Sequence, residues 1–427
     1  MRETKLAVDI RQLLLQMDFE FVDELYVHKK TKIPLTVYFQ DDEMILLDQL
    51  KLPYEMVSWK TTDYKVGAIQ GIKEMRIRGS QALGVCAAYC MALAAIQLQS
   101  TGREIIKDME EAAKLVKSSR PTAAPLFWAV DLTMHAAIKA FDTTADAHSV
   151  VNAVKETADY ILASDLILGK YLREEGMKFL EDGDVVMTHC NGGSLSSTYG
   201  GHALGMLEEA YTKGVDLTVV AKETRPRSQG YLLTTWELNR AGIPVVIVTD
   251  NMISQAFKRF KVNKIILGVD RIGSDGGVAN KIGSSDIARI ARFYDDVHFY
   301  YATSYSTMDL ETPGRDIPIE ERSIDEMSRP YRLDAQDKKR KGILSENALN
   351  EWPPNEAIVS TPEKGKFVLY NPAFDITPGN LIDLVITDIG AFSPEQIRTL
   401  TPAIIENEVK RRLENELTLP EHIRFYL

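Results

Sequence analysis

Cysteine is nearly absent from this chain: Cys86, Cys90 and Cys190 are the only three in 427 residues. So sparse and odd a count does not build a disulfide scaffold, and it fits a reducing compartment. A basic surplus is also missing. The formal net charge of −11 excludes a general nucleic-acid binder, which needs a basic face. It still allows a local cluster of arginines around a small anion. Long apolar runs are limited to Ala82–Leu98, rich in alanine and broken by Gly84 and Gln97, which reads as a buried core helix and not a membrane span. The opening residues carry charge every few positions, so no secretory signal is expected, and the location expected is cytoplasmic. No strand runs into G-x-G-x-x-G and no Walker A sequence occurs, so neither a dinucleotide nor a nucleoside triphosphate is called for. His189 and Cys190 are adjacent, but no second cluster has ligand spacing, and no metal or other cofactor is expected.

What is present divides the chain in two. Residues 1 to about 60 mix short strands and turns, and helical periodicity dominates from Tyr64 to Glu175, broken at Arg78-Gly79-Ser80 and Arg120-Pro121-Thr122. From Asp184 the runs VVMT, LTVVA, VVIVTD, IILGVD, HFYYAT and LVITD alternate with helix-length segments. That alternation is the mark of a parallel sheet with helices on both faces. The fold expected is therefore α/β: a Rossmann-like parallel sheet over 166–427, preceded by a mainly helical domain with a small antiparallel sheet over 1–165. A polar stretch at 329–366, containing DKKRKG, reads as a solvated insertion.

The strand ends carry the chemistry. Open α/β sheets bind ligands beyond the carboxyl ends of their strands. One such end brings Asp270 into a Gly-rich turn that closes on Asn280 and Lys281; a strand-ending Asp that caps the next helix is the plainer alternative. Another, Thr188-His189-Cys190-Asn191-Gly192-Gly193-Ser194, places a thiol before an expected helix, whose N-terminal partial charge favours thiolate. Gly192-Gly193-Ser194-Leu195-Ser196 nearly makes a hydrolase elbow but lacks the final glycine. A third end supplies Arg225, Arg227 and Gln229, which suit a phosphate or sugar hydroxyls or else solvate a turn. Asp250 reads as a helix cap. Arg78-Gly79-Ser80 and Arg120-Pro121-Thr122 each place a guanidinium beside the free amides of a helix start, a common anion site.

Eight blocks in order, MRIRGSQALGVCAAY, SSRPTA, THCNGGSL, KETRPRSQG, VTDNMIS, GVDRIGSDGGVANKIG, IPIEER and NPAFDITP, resemble the methylthioribose-1-phosphate isomerase family. Its relatives include regulatory subunits of translation initiation factor 2B. The likeness runs from about Gly67 to Gly390. It implies an aldose–ketose isomerase acting on a 5-substituted ribose 1-phosphate, with Cys190 and Asp270 catalytic. Arg78, Gly79 and Ser80 would hold the phosphate, and Arg120, Gln229, Asn280 and Lys281 would contact substrate. A regulatory subunit that senses a sugar phosphate or nucleotide is the other reading, and the catalytic pair argues against it. The resemblance further implies a homodimer, no cofactor, and no nucleic-acid or membrane partner. RGAPAIG of the family is RGSQALG here, and THCNAGAL is THCNGGSL. Ser80, Gln81 and Ser194 thus add polar groups, which raises the expectation of a more polar 5-substituent than methylthio. The methylthio sugar, 5-deoxyribose 1-phosphate and ribose 1,5-bisphosphate all stay open.

Overall fold

The computed structural model describes residues 8–98, 102–121, 123–322, 325–328 and 370–417. The expected insertion at 329–366 lies outside the described residues. After a short helix at Ile10–Gln16 comes an antiparallel hairpin, β1 (Phe19–Val22) and β2 (Leu25–His28). An antiparallel sheet follows, β3 (Val37–Gln40), β4 (Glu43–Leu47) and β5 (Ser58–Thr61). Four long helices come next: α1 (Ser80–Gln97), α2 (Glu104–Ser119), α3 (Ala124–Thr144) and α4 (Ala147–Gly176).

Helix α1 is the centre of this part. Residues 81–95 are all buried, so its faces show no polar side and alanines let neighbouring helices approach closely. It is long and apolar enough to cross a membrane, yet 83% of it is buried within the protein. Helix α4 runs unbroken through 165 and 166, the expected domain boundary, and ends only at Gly176 because its apolar stripe continues to there.

Beyond it lies the large sheet. In chain order its strands are β6 (Asp184–Thr188), β7 (Leu217–Lys222), β8 (Val245–Val248), β9 (Lys264–Leu267), β12 (His298–Thr303), β14 (Leu384–Thr387) and β15 (Gly390–Phe392). Between β9 and β14 the chain also makes a small antiparallel sheet of β10 (Arg271–Ile272), β11 (Val278–Lys281) and β13 (Phe374–Thr377). The large sheet runs β15-β14-β12-β9-β6-β7-β8, parallel throughout except for β15. The six runs read from the sequence are its six parallel strands. Their side chains alternate between faces. Val186, Val219, Ile266 and Ile386 pack under α5 (Ala203–Thr212), while Met187, Val220, Ile265 and Val385 pack under α7 (Ile253–Phe260) and α8 (Ser284–Ala291); α6 (Thr235–Arg240) lies between β7 and β8.

Strand order decides where the site falls. From β6 the chain winds outward to β7 and β8, then returns to lay β9 on the other side of β6. The loops leaving β6 and β9 therefore part in opposite directions and leave a crevice between them. Those two loops carry Cys190 and Asp270.

Candidate active site

Two glycines keep the loops close. A Cβ on Gly192 would stand 3.1 Å from the Cα of Gly268, so backbone meets backbone two residues from Cys190 and two from Asp270. Thr188 Oγ1 also donates to Ile266 O at 2.9 Å, tying the ends of β6 and β9 together.

Cys190 is held by its backbone. Its φ of 63° is left-handed, uncommon for a residue with a side chain and worth its cost only where the neighbours hold it. They do: Cys190 N donates to Thr224 Oγ1 at 2.8 Å and Thr234 Oγ1 donates to Cys190 O at 2.5 Å. His189 braces Thr224 from behind, with Nδ1 3.1 Å from Thr224 Oγ1 and Nε2 2.8 Å from Ile282 O. Burial and the nearby Lys222 push the pKa of His189 well below its ordinary value, so the ring is a neutral strut.

The helix expected directly after this loop is not there. A 3-10 turn spans Ser194–Ser196 and α5 begins only at Ala203, because Gly192 O first accepts the N–H groups of His202 and Leu204, each at 3.0 Å. Positive charge near Cys190 comes instead from Arg78 and Lys281, both of which interact electrostatically with it. Ser194 is also not where expected. It is fully buried, its Oγ accepts from Gly200 N at 2.8 Å, and it does not line the cavity. It adds nothing polar to the site, and the elbow reading has no accessible hydroxyl.

Arg78 and Gly79 precede α1, whose first amide groups lack partners within the helix. Gly79 has φ of 92°, and a Cβ there would lie 2.3 Å from the Cα of Ser196. Neither backbone nor space admits a side chain, so Gly79→Ala is expected to destabilise the protein by about 3 kcal/mol. Urea unfolding of the variant measures it, and an unchanged midpoint contradicts this reading of the contact.

The Gly-rich turn after Asp270 is the β10–β11 hairpin, with Asp270 N donating to Ala279 O at 3.1 Å. Asn280 is fixed by its Nδ2 donating to Ser284 Oγ at 2.8 Å. Lys281, buried, donates to Ala373 O at 3.0 Å and lies over the Phe374 ring, 4.6 Å from its centroid. Burial lowers its pKa, opposed by Cys190 and Asp270. The Asp270 side chain is exposed to the cavity, but the enclosing protein wall raises its pKa, with Lys281, Arg322 and Arg78 pulling the other way.

All nine sequence-identified residues, Arg78, Gly79, Ser80, Arg120, Cys190, Gln229, Asn280, Lys281 and Asp270, line one cavity of about 1120 Å³. Three of its cations have acidic partners: Arg227 with Glu326 at 2.9 Å, Arg271 with Asp309 at 3.5 Å and Arg322 with Glu320 at 3.3 Å. Arg78, Arg120 and Lys281 have none among the described residues, and Arg78 and Lys281 act on Asp270. Arg225 turns away, donating to Met327 O at 2.8 Å. Asp250 is no helix cap: it crosses to accept from Thr224 N at 3.1 Å and Arg225 N at 2.6 Å, so it shapes the loop after β7. Arg322 and Asn191, which lie in the IPIEER and THCNGGSL blocks, line the cavity without having been singled out. Among the described residues no three His, Cys, Asp or Glu side chains gather to hold a metal ion.

Comparison with known proteins places this geometry. The model of the initiation factor 2 subunit family matches residues 76–394, which takes in both strand-end loops and the α1 start. The chain belongs to that family. A relative, methylthioribose-1-phosphate isomerase of Synechocystis, is 35% identical over 85% of this chain and 96% of its own. The 5-deoxyribose 1-phosphate isomerase of Bacillus thuringiensis is 35% identical over 83% and 94%. A solved structure of the initiation factor eIF-2B delta subunit from A. fulgidus aligns with a TM-score of 0.70 at 31% identity, covering 89% of this chain and 99% of its own. Proteins similar to this chain thus include both enzymes and a translation factor subunit.

Proposed function

We propose that this family member is an aldose–ketose isomerase converting a 5-substituted ribose 1-phosphate to the ribulose 1-phosphate. The observation that carries the reading is that Cys190 and Asp270, on the loops after neighbouring β6 and β9, line one cavity together with three cations that lack an acidic partner among the described residues. Phosphate on the anomeric oxygen blocks simple ring opening, so an acid must protonate the ring oxygen as the carbon–oxygen bond breaks. Asp270 is that acid, and its raised pKa keeps more of it protonated than an ordinary carboxyl. Hydrogen then moves from C2 to C1, and the 2-hydroxyl proton passes to the Asp270 carboxylate, which restores the acid as the ketone forms. Cys190 either takes the C2 proton or stabilises the charge that develops during a hydride shift. Arg78, the α1 amides at Gly79 and Ser80, and Lys281 hold the phosphate. Gln229 and Asn280 meet the sugar hydroxyls, and Arg120 adds charge. The enzyme works as a cytoplasmic homodimer.

Charge and space favour an uncharged 5-substituent. Three unpaired cations against the carboxyls of Asp270 and Glu311 leave charge for one phosphate, and a second phosphate would bring about two further negative charges. A side cavity of about 270 Å³ adjoins the main one, with Gln81 and Ser306 lining both and Val85, Trp128, Ile161 and Leu168 among its walls. With Ser194 turned away, the added polarity reduces to Ser80 and to Gln81, whose Nε2 donates to Ser306 Oγ at 3.2 Å. The expectation of a polar substituent gives way to a methylthio or 5-deoxy sugar. The test is kcat/KM on the methylthio, 5-deoxy and 1,5-bisphosphate sugars. The first two are expected to exceed the bisphosphate by about 100-fold. A winning bisphosphate overturns the substrate assignment, and no turnover on any of them favours the sensor-subunit reading.

A further inference from the structure

We infer that Glu237, which touches neither the cavity nor the sugar, is the positioning residue of the phosphate site and acts through Asn191. The inference rests on the isomerase reading only for what the site binds, not for how the residues are arranged.

Glu237 lies on α6 and is fully buried. Its Oε1 accepts from Asn191 Nδ2 at 2.6 Å and from Leu195 N at 3.4 Å. Asn191 Oδ1 in turn accepts from Arg78 Nη2. The amide therefore sits between a carboxylate, which only accepts, and a guanidinium, which only donates, and has one orientation. Asn191 Nδ2 also reaches Thr234 Oγ1 at 3.2 Å, the hydroxyl that holds Cys190 O. One buried acid thus sets both the arginine of the anion site and the backbone that aims the thiol. The chain makes room for it: a Cβ on Gly193 would lie 2.4 Å from Glu237 Oε2, which itself has no hydrogen-bond partner among the described residues.

Such an arrangement responds to protonation. Burial pushes the Glu237 pKa up to about 7, opposed by Asn191, by the Leu195 and Ser194 amides and by Arg78. The other carboxyl facing it is Glu208 of α5, whose pKa burial and Glu237 raise well above ordinary, with Arg173 and Glu209 beyond it. The two acids oppose each other's ionisation, and the hydrogen bonds from Asn191 and Leu195 favour the ionised form on Glu237. Ionised Glu237 pulls harder on the Asn191 amide, since a charged acceptor makes the stronger hydrogen bond.

Glu237→Gln imitates the protonated acid without changing its shape. KM for the methylthio sugar phosphate and the Kd for inorganic phosphate by calorimetry are to be measured at pH 6 and pH 8. The variant is expected to raise both constants about tenfold at pH 8 and by less than twofold at pH 6. Constants unchanged at both pH values, or raised equally at both as a structural role would do, overturn the assignment. Should no sugar turn over while phosphate binding keeps the pH split, the isomerase reading fails and the positioning role stands.

Discussion

Asp270→Asn is expected to lower kcat by about 10³-fold, within the range a positioned acid contributes, while leaving the unfolding midpoint close to the parent value. The side chain faces the cavity rather than the packed interior, so a nearly isosteric amide disturbs no core contact. The amide can still donate a hydrogen bond, but it cannot deliver a proton to the ring oxygen. The pH profile carries the same information. An acid must start protonated, and the enclosing wall raises the Asp270 pKa. Turnover by the parent enzyme therefore holds below that pKa and falls as pH rises through it, and the limb due to Asp270 vanishes in the variant. Near-normal turnover by Asp270→Asn removes this residue from the acid role.

Cys190→Ser is expected to cost about 10²- to 10³-fold in kcat with KM changed little, because the phosphate is held by other groups. Serine fits the left-handed position and keeps the backbone bonds to Thr224 and Thr234, so the loop persists. Its hydroxyl is a far weaker base than a thiolate. Substrate carrying deuterium at C2 separates the two routes open to the parent enzyme. Loss of the label to ordinary water fits proton abstraction by Cys190. Full retention fits a hydride shift in which the thiol only stabilises charge, unless the proton returns within a shielded pocket.

The parts of this site legible in the sequence are those with a local signature. Each parallel strand is a short apolar run, and four of the six run into a residue whose charge is out of place beside it, Lys222, Asp250, Asp270 and Asp388. Arg78-Gly79-Ser80 and Arg120-Pro121 mark helix boundaries by composition alone. Where the reading went astray, the cause is tertiary. Ser194 was expected to face the sugar and the segment after Cys190 to enter a helix. Instead Gly192 O accepts amides from ten and twelve residues on, a fold-back that periodicity does not encode. Asp250 reads as a cap because it opens a turn, while its carboxylate serves amides on the neighbouring strand's loop. Glu237 left no trace at all. In TTWELNR it resembles any surface acid of a short helix, and only the packing of α6 against the Cys190 loop buries it.

The account turns on one claim, that the thiol and the carboxyl at the ends of β6 and β9 act on a single sugar phosphate. Methylthioribose 1-phosphate labelled with carbon-13 at C2 tests it by NMR. The parent protein is expected to convert the sugar C2 signal to that of a ketose carbonyl, and the Cys190→Ser, Asp270→Asn double variant to leave it unchanged over the same hours. A ketose signal that grows at the parent rate in the double variant would contradict the claim.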